Sequence, residues 1–356
     1  MTMALIDLIG WVGKRRWARP VGVLMMLAAR RIPLSTMVRL AGRRICIPSA
    51  GYSAIALSGT SVRDNLCDGA LMFETLAGAI ERFGLEADGT ASDLTIEPGA
   101  CGCPVTMPDY DTPYVSEHPV HTLEDIRALR IPDPLTDPHM RAMIETVRLL
   151  SKRFALLTVT GGSGPFTLAA ELIGASDAAM NTLTEPALMH ELLEYCTRVC
   201  SAYLAAIVRA GAEVVLIGEP TAAILSPGAY AEFSGAYTKR LIDSIPRPVI
   251  LHICGDAGHL VEGMCATGAQ GLSLDAPVDL PSVAQSVPHN VVLIGNLDTV
   301  SVLLEGTPET VRESTTGMLE SMRPYKNYVA SSGCDLSYNT PVENIVAMIE
   351  TVRGFR

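Results

Sequence analysis

The chain has 356 residues, of which 48% are hydrophobic and 18% are charged, with 30 Gly and 23 Pro. A chain of this length and composition buries a large core and makes many turns, as globular α/β enzymes do. Its formal net charge is −11, so it lacks the basic face that a nucleic-acid partner requires. No run of about twenty apolar residues occurs, and we expect no membrane-spanning helix.

The N-terminal region combines basic and apolar residues. Its apolar stretch at 21–29 is short, runs directly into Arg30 and Arg31, and lacks a convincing cleavage site for a signal peptide. We predict that residues 1–44 form a helical segment that caps one end of the fold or contacts a partner. The nine cysteines are an odd, scattered set, unlike a disulfide framework, which favours a cytoplasmic protein.

Short β-branched or apolar segments alternate with longer helical patterns, which indicates parallel strands joined by helices. Eight strands are predicted, at Ile45–Pro48, Asp93–Ile96, Ala155–Thr160, Glu213–Ile217, Val249–Ile253, Gly271–Leu274, Val291–Ile294 and Asn327–Ala330. The clearest helix starts at Pro186 and stops at Gly211. Eight strand–helix units predict an α/β fold, a (β/α)8 TIM barrel with an N-terminal helical extension, as a single domain over residues 1–356.

Residues 97–138 do not follow this alternation. The segment is rich in Pro, Asp and Thr. We predict a long loop or a small subdomain over one end of the barrel. A Cys101-Gly102-Cys103 sequence within it resembles half of a metal site, but no second pair has suitable spacing, so a turn with two packed thiols is the better interpretation.

The sharpest local feature is Leu-His-Ile-Cys-Gly at residues 251–255, at the end of an apolar strand. Side chains alternate along a strand, so His252 and Cys254 point to the same face. Cys334 lies just past the eighth predicted strand. A barrel gathers the carboxyl ends of its strands at one mouth, where catalytic groups collect. The three residues are therefore expected to meet in space.

One imidazole and two thiolates suit Zn²⁺, and three protein ligands with an open fourth position are typical of catalytic zinc. Taken alone, H-x-C with a distant cysteine is a weak signal, and a buried thiol with a hydrogen-bonded strand histidine is the better interpretation. The position of both pieces at strand ends makes a metal site, with His252, Cys254 and Cys334 as ligands, as well supported as that alternative.

Other candidate groups follow the remaining strands. Gly161 and Gly162 form a glycine-rich lip after the third strand, which either lets a substrate approach the backbone or is a plain turn. Glu219 and Asn296 are candidate substrate-binding residues. Asp275 or Glu219 is a candidate for the exchangeable fourth ligand, with a purely structural carboxylate as the alternative for both.

Several motifs together resemble the uroporphyrinogen decarboxylase superfamily. They are His-Ile-Cys-Gly-Asp at 252–256, Gly-Asn-Leu-Asp at 295–298, and Ser-Gly-Cys-Asp-Leu at 332–336 followed by Thr340-Pro341. The resemblance covers most of residues 150–356 and is looser before them. Within the superfamily it is similar to the cobalamin-dependent methyltransferase branch, which includes methylcobamide:coenzyme M methyltransferases. This resemblance implies a (β/α)8 barrel and zinc held by His252, Cys254 and Cys334.

The function implied is transfer of a methyl group between a corrinoid and a thiol such as coenzyme M. The corrinoid would be carried on a separate protein, since the chain has no D-x-H-x-x-G corrinoid signature. Alternatives are the opposite direction, from a methyl donor to a corrinoid protein, a porphyrinogen decarboxylase-like enzyme, and a non-catalytic zinc-stabilised protein. The decarboxylase fits less well because its arginine-rich N-terminal motif is replaced here by Pro-Ser-Ala-Gly-Tyr at 48–52. Thr299, where these methyltransferases usually carry proline, leaves the acceptor open.

Overall fold

The centre of the protein is a sheet of parallel strands, seen in a computed structural model that describes residues 32–91, 93–154 and 157–355. Its seven strands pair in the order β1-β4-β5-β6-β7-β8-β9. They are β1 (Ala87–Gly89), β4 (Leu157–Ser163), β5 (Val214–Gly218), β6 (Val249–Ile253), β7 (Gly271–Leu274), β8 (Val292–Leu297) and β9 (Tyr328–Ser332). A separate antiparallel pair joins β2 (Val105–Thr106) to β3 (Tyr114–Val115).

The eighth member of the barrel is the segment predicted as the first strand, Ile45–Pro48. It forms an isolated parallel bridge, with Cys46 opposite Ala330 of β9. Ala330 N–H donates to the Ile45 carbonyl and Ile47 N–H donates to the Ala330 carbonyl, each at 3.0 Å. On its other side, Cys46 N–H donates to Glu86, the residue before β1, at 3.2 Å. The segment therefore closes the sheet, and the fold is the predicted (β/α)8 barrel.

The prediction of the second strand was wrong. The chain is extended at Ala87–Gly89, and the residues predicted as Asp93–Ile96 turn into a helix instead. Asp93 Oδ1 accepts from Thr95 N–H at 2.8 Å and from Thr95 Oγ1 at 2.7 Å. Such a local side-chain bond competes with the hydrogen bonds of a sheet. The other six predictions overlap observed strands, although Ala155 and Leu156 of the predicted Ala155–Thr160 lie outside the described residues.

Helices connect the strands. They are α1 (Leu34–Leu40), α2 (Gly51–Ser58), α3 (Val62–Cys67), α4 (Gly69–Phe83), α5 (Ile96–Ala100), α6 (Leu123–Ala128), α7 (Pro138–Arg153), α8 (Pro165–Ile173), α9 (Ala175–Thr184), α10 (Pro186–Ala210), α11 (Pro227–Ala229), α12 (Ala236–Ser244), α13 (Val261–Ala266), α14 (Leu280–Val283), α15 (Pro308–Ser321) and α16 (Val342–Gly354). Helix α10 ends at Gly211, whose φ of 129° suits glycine. Among the described helices, none is long and apolar enough to cross a membrane.

The described part of the predicted N-terminal segment closes the amino end of the barrel. Residues 1–31 lie outside the described ranges. In α1, Leu34 and Val38 join a buried apolar cluster with Val214, Val292 and Val329, which begin or lie early in their strands. The segment thus packs at the end opposite the carboxyl ends of the strands, where polar groups are expected to gather.

Residues 97–138 are not a featureless loop. They contain most of α5, the β2–β3 pair and α6. Three of their side chains, Cys103, Val120 and Ile126, are buried in the same apolar cluster as the helices around the barrel.

Candidate metal centre

The candidate metal ligands meet at the carboxyl end of the barrel. His252 lies in β6, Cys254 directly follows that strand, and Cys334 follows β9. His252 Nε2 is 2.9 Å from Cys254 Sγ and 3.6 Å from Cys334 Sγ. The two sulfur atoms are 2.7 Å apart. The three donor atoms lie within 4.8 Å of one another, and their side chains are partly exposed. Among the described residues, this is the one group of His, Cys, Asp or Glu side chains that could hold a metal ion.

The ring of His252 is oriented by the neighbouring strand. Its partner in the β6–β7 register is Ser273. His252 Nδ1 lies 3.2 Å from the Ser273 carbonyl oxygen and 3.0 Å from Ser273 Oγ. Because a carbonyl oxygen only accepts, Nδ1 carries the hydrogen and Nε2 presents its lone pair towards the two thiols. This arrangement is how proteins fix a metal-binding histidine.

The two thiols have opposite electrostatic environments. The hydrogen bond from Cys254 lowers the pKa of Cys334 to about 5 although burial opposes this. The same hydrogen bond, together with burial, raises the pKa of Cys254. One sulfur is therefore already a thiolate near neutral pH, and the second shares its proton with it. A dication that displaced this proton would bind two thiolates and one neutral imidazole, a donor set that suits Zn²⁺.

Asp275, the candidate exchangeable ligand, is engaged with the backbone. Its carboxylate accepts from Gly255 N–H at 2.9 Å and from Ala276 N–H at 2.7 Å. These bonds hold the turn that follows Cys254 in place. Asp275 does not belong to the three-donor group. Its role as a ligand stays a prediction.

The backbone of Glu219 contacts the metal centre, whereas its carboxylate contacts other residues. Its N–H donates to the His252 carbonyl at 2.8 Å. Its fully buried carboxylate instead accepts from Phe166 N–H at 3.1 Å, Thr167 N–H at 2.7 Å and Thr238 Oγ1 at 3.1 Å. These contacts cap the amino end of α8, and burial raises the pKa of the group. A substrate-binding role stays a prediction, and the contacts favour the structural alternative.

Asn296 links two turns at the mouth of the barrel. Its Nδ2 donates to the carbonyls of Asp275 at 3.0 Å and Val278 at 2.7 Å. It therefore positions the segment after β7, next to the turn that Asp275 holds. Binding of a substrate by Asn296 also stays a prediction.

Gly161 and Gly162 lie within β4 rather than in a turn after it. A Cβ atom on Gly161 would collide with the carbonyl oxygen of Leu216 in β5, and one on Gly162 would collide with the Glu97 carboxylate. Both positions require glycine for packing. Both also line a cavity of about 120 Å³, so the predicted contact with a substrate remains open.

Two functional candidates were missed in the sequence. Ser273 is identified only by its register opposite His252, which no local pattern reveals. Glu97 lies in the segment predicted as a loop or subdomain. It is fully buried, accepts from Ser163 N–H at 2.8 Å, and burial raises its pKa to about 8. No sequence signal marks either residue, because each is defined by what another element places beside it.

Comparison with known proteins agrees with this architecture. A methyltransferase from Methanosarcina mazei has the same fold, with a TM-score of 0.81 over 92% of this chain and 97% of that chain at 23% identity. The methylcobamide:CoM methyltransferase MtbA of Methanosarcina acetivorans is 30% identical over 282 residues, or 77% of this chain and 81% of the relative. A uroporphyrinogen decarboxylase from Alkalilimnicola ehrlichii is 32% identical over 297 residues, or 79% and 80%.

The relatives thus include both methyltransferases and decarboxylases. The model of one family, uroporphyrinogen decarboxylase (URO-D), matches residues 27–355, nearly the whole chain. With the barrel and the motifs at its mouth, this match establishes that the chain belongs to the uroporphyrinogen decarboxylase (URO-D) family.

Proposed function

We propose that this chain is a zinc-dependent methyltransferase that moves a methyl group between a corrinoid and a small thiol. The observation that carries the proposal is the convergence of His252 Nε2 with the sulfur atoms of Cys254 and Cys334 at the barrel mouth. Three protein donors leave a fourth position for a substrate sulfur, as in catalytic zinc sites. A closed site with four protein ligands would instead support a stabilising role, and no fourth donor joins this group in the described residues.

A bound Zn²⁺ would lower the pKa of an incoming thiol and hold it as a thiolate nucleophile. His252 keeps its lone pair directed at the centre through the Nδ1 contact with Ser273. Cys254 and Cys334 supply two negative charges that balance the dication. All three side chains are partly exposed, so the centre is open to a substrate. In the net reaction the thiolate sulfur bonds to the methyl carbon, while the cobalt–carbon bond breaks and leaves its electron pair on cobalt.

The names of two relatives support this choice. MtbA from two Methanosarcina species is named as a methylcobamide:CoM methyltransferase. We infer that this chain likewise works with a corrinoid carried on a separate protein. The opposite direction, from a methyl donor to the corrinoid, uses the same ligands and is the second candidate.

Decarboxylation is less well supported although decarboxylases are equally similar in sequence. A porphyrinogen with several carboxylates needs cationic anchors. The stretch that replaces the decarboxylase's arginine-rich motif lines the cavity through Pro48, Ser49, Ala50 and Gly51, and none of the described residues lining that cavity is Arg or Lys.

The deciding experiment combines metal analysis with methyl transfer. The purified chain, loaded with zinc, is mixed with methylcobalamin and a panel of thiols while the cobalt spectrum is followed. We expect about one zinc per chain and thiol-dependent loss of the methyl–cobalt spectrum. Methylation of reduced cobalamin by a methyl donor, with no thiol-dependent demethylation, would reverse the direction. Absence of zinc and of both reactions would reject the proposal.

A further inference from the structure

The two thiols of the metal centre lie on strands that are not neighbours. Cys254 follows β6 and Cys334 follows β9, while β7 and β8 lie between these strands in the sheet. Neighbouring strands are about 4.8 Å apart, so three intervals separate the two strands by roughly 14 Å along the sheet. The sulfur atoms nevertheless lie 2.7 Å apart. The turns that carry them meet over the ends of the intervening strands, and contacts at those ends decide their spacing.

Asp275, the residue after β7, lies between the turns of the two thiols. Its Oδ2 accepts at 2.9 Å from the N–H of Gly255, the residue after the first cysteine. Its Oδ1 accepts from Ala276 N–H at 2.7 Å and lies against Gly333, the residue before the second cysteine. A Cβ atom on Gly333 would lie 2.6 Å from this oxygen and 2.7 Å from the Ala276 nitrogen. One carboxylate thus adjoins the neighbour of each thiol.

These two neighbours are glycines for different reasons. Gly255 has a φ of 74°, a backbone conformation that favours glycine. Gly333 does not have a positive φ, so its backbone conformation also suits residues with a side chain. Only the lack of space beside Asp275 and Ala276 requires glycine there. A substitution at Gly333 therefore tests the packing of the two turns and not the backbone conformation.

Hydrogen bonds continue from Asp275 to the second turn through β8. Asn296 Nδ2 donates to the Asp275 carbonyl at 3.0 Å, and the carbonyl of the next residue, Leu297, accepts from Gly333 N–H at 2.8 Å. The contacts therefore run from Gly255 through the ends of β7 and β8 to Gly333 without a gap. Every link lies within the protein, so the spacing of the thiols does not depend on a metal.

We propose that Asp275 is a positioning residue that holds the turns of Cys254 and Cys334 at the spacing of metal ligands before a metal binds. Both of its carboxylate oxygens accept from backbone N–H groups, and the single oxygen of an amide would satisfy only one of them. Because the carboxylate is engaged in this way, it acts on the metal through the two thiols. The inference rests on the proposed function only in taking these thiols as metal ligands.

The spacing of the thiols is measurable without a metal. Phenylarsine oxide condenses with two thiols to form two arsenic–sulfur bonds, and the thiol protons leave with the oxygen as water. Tight binding therefore requires two sulfur atoms side by side, and a carboxylate plays no part in it. The dissociation constant is measured on the reduced, metal-free full chain by competition with a small dithiol. Cys334→Ala gives the background from the other cysteines.

We expect Asp275→Ala and Gly333→Ala each to weaken binding of the arsenical about tenfold or more, as for other residues that orient metal ligands. Asp275→Asn keeps one acceptor oxygen and should lose less. Gly317→Ala is the control, because a Cβ atom at this exposed position of α15 meets nothing within 4 Å. It should bind the arsenical like the wild type. Zinc affinity, measured by competition with a chelator, should fall in the same order.

Unchanged binding of the arsenical in Asp275→Asn and Gly333→Ala overturns the inference, and so does wild-type binding no tighter than the Cys334→Ala background. If zinc affinity alone falls in the Asp275 variants, Asp275 is a ligand and not a positioning residue. Circular dichroism checks the fold, and if Asp275→Ala fails to fold, the other two variants carry the test. A wild type that binds the arsenical but not zinc rejects the proposed function, while the variants still decide the role of Asp275.

Discussion

The sulfur atoms of Cys254 and Cys334 lie 2.7 Å apart, although the residues are 80 positions apart in the chain. The first follows β6 and the second follows β9, and the closure of the barrel brings them together. Neither thiol has a substitute nearby, because the described group of donors contains only these two and His252.

Replacement of either thiol should remove the metal. We expect about one zinc per chain in the wild type and only a small fraction in Cys254→Ala and Cys334→Ala, because two remaining donors bind zinc weakly. Metal content is measured by elemental analysis and folding by circular dichroism. Cys265→Ala, a partly buried thiol outside the centre, is the control and should keep its zinc. Stoichiometric zinc in both site variants would refute the assignment.

Ser273 should influence the metal without touching it. In Ser273→Ala the hydroxyl contact with His252 Nδ1 is lost while the carbonyl contact remains. We expect zinc affinity to fall about tenfold, at the low end for the loss of such an orienting contact. A chelator competition measures this, and Ser273→Thr, which restores the hydroxyl, should recover part of the loss. Equal affinity in all three proteins would mean that the hydroxyl does not orient the ring.

We expect Glu219 to contribute to the stability of the fold and to have no effect on zinc binding. Glu219→Ala leaves the buried N–H groups of Phe166 and Thr167 without their acceptor. We expect the free energy of unfolding to fall by about 2–4 kcal/mol in urea titrations, with zinc content unchanged. Glu219→Gln keeps one acceptor oxygen and should lose less. Loss of thiol binding in a variant of undiminished stability would instead support the predicted substrate role.

Glu97 should make stability depend on pH. Its pKa rises from 4.5 to about 8 because the carboxyl is buried. Between these values the folded chain holds a proton that the unfolded chain has released, so the free energy of unfolding falls as pH rises through this window. The change is on the order of a few kcal/mol.

The variant Glu97→Gln isolates this contribution. Its amide imitates the protonated acid, so urea unfolding between pH 5 and 8 should show a flatter pH dependence than the wild type. Glu313→Gln, at an exposed position of α15, is the control and should follow the wild type. Parallel curves for the wild type and Glu97→Gln would show that Glu97 is ionised in the folded protein.

The sequence alone determined the barrel and the identity of the candidate ligands. Strand and helix periodicities are local, so the six later strands were located within a few residues. Alternation along β6 placed His252 and Cys254 on one face, and the position after β9 brought Cys334 to the same mouth. The second strand was misplaced because the turn at Asp93 depends on its bonds to Thr95, which an extended pattern of residue types does not reveal.

Only the tertiary structure decided what the other polar residues contact. Glu219 and Asp275 both follow strands, as catalytic carboxylates do, yet their oxygens are taken by backbone N–H groups of α8 and of the turn after β6. The orienting role of Ser273 depends equally on which strands lie side by side. A hydrogen bond or a local field is set by distances of a few ångströms between elements, and these are fixed only when the barrel closes.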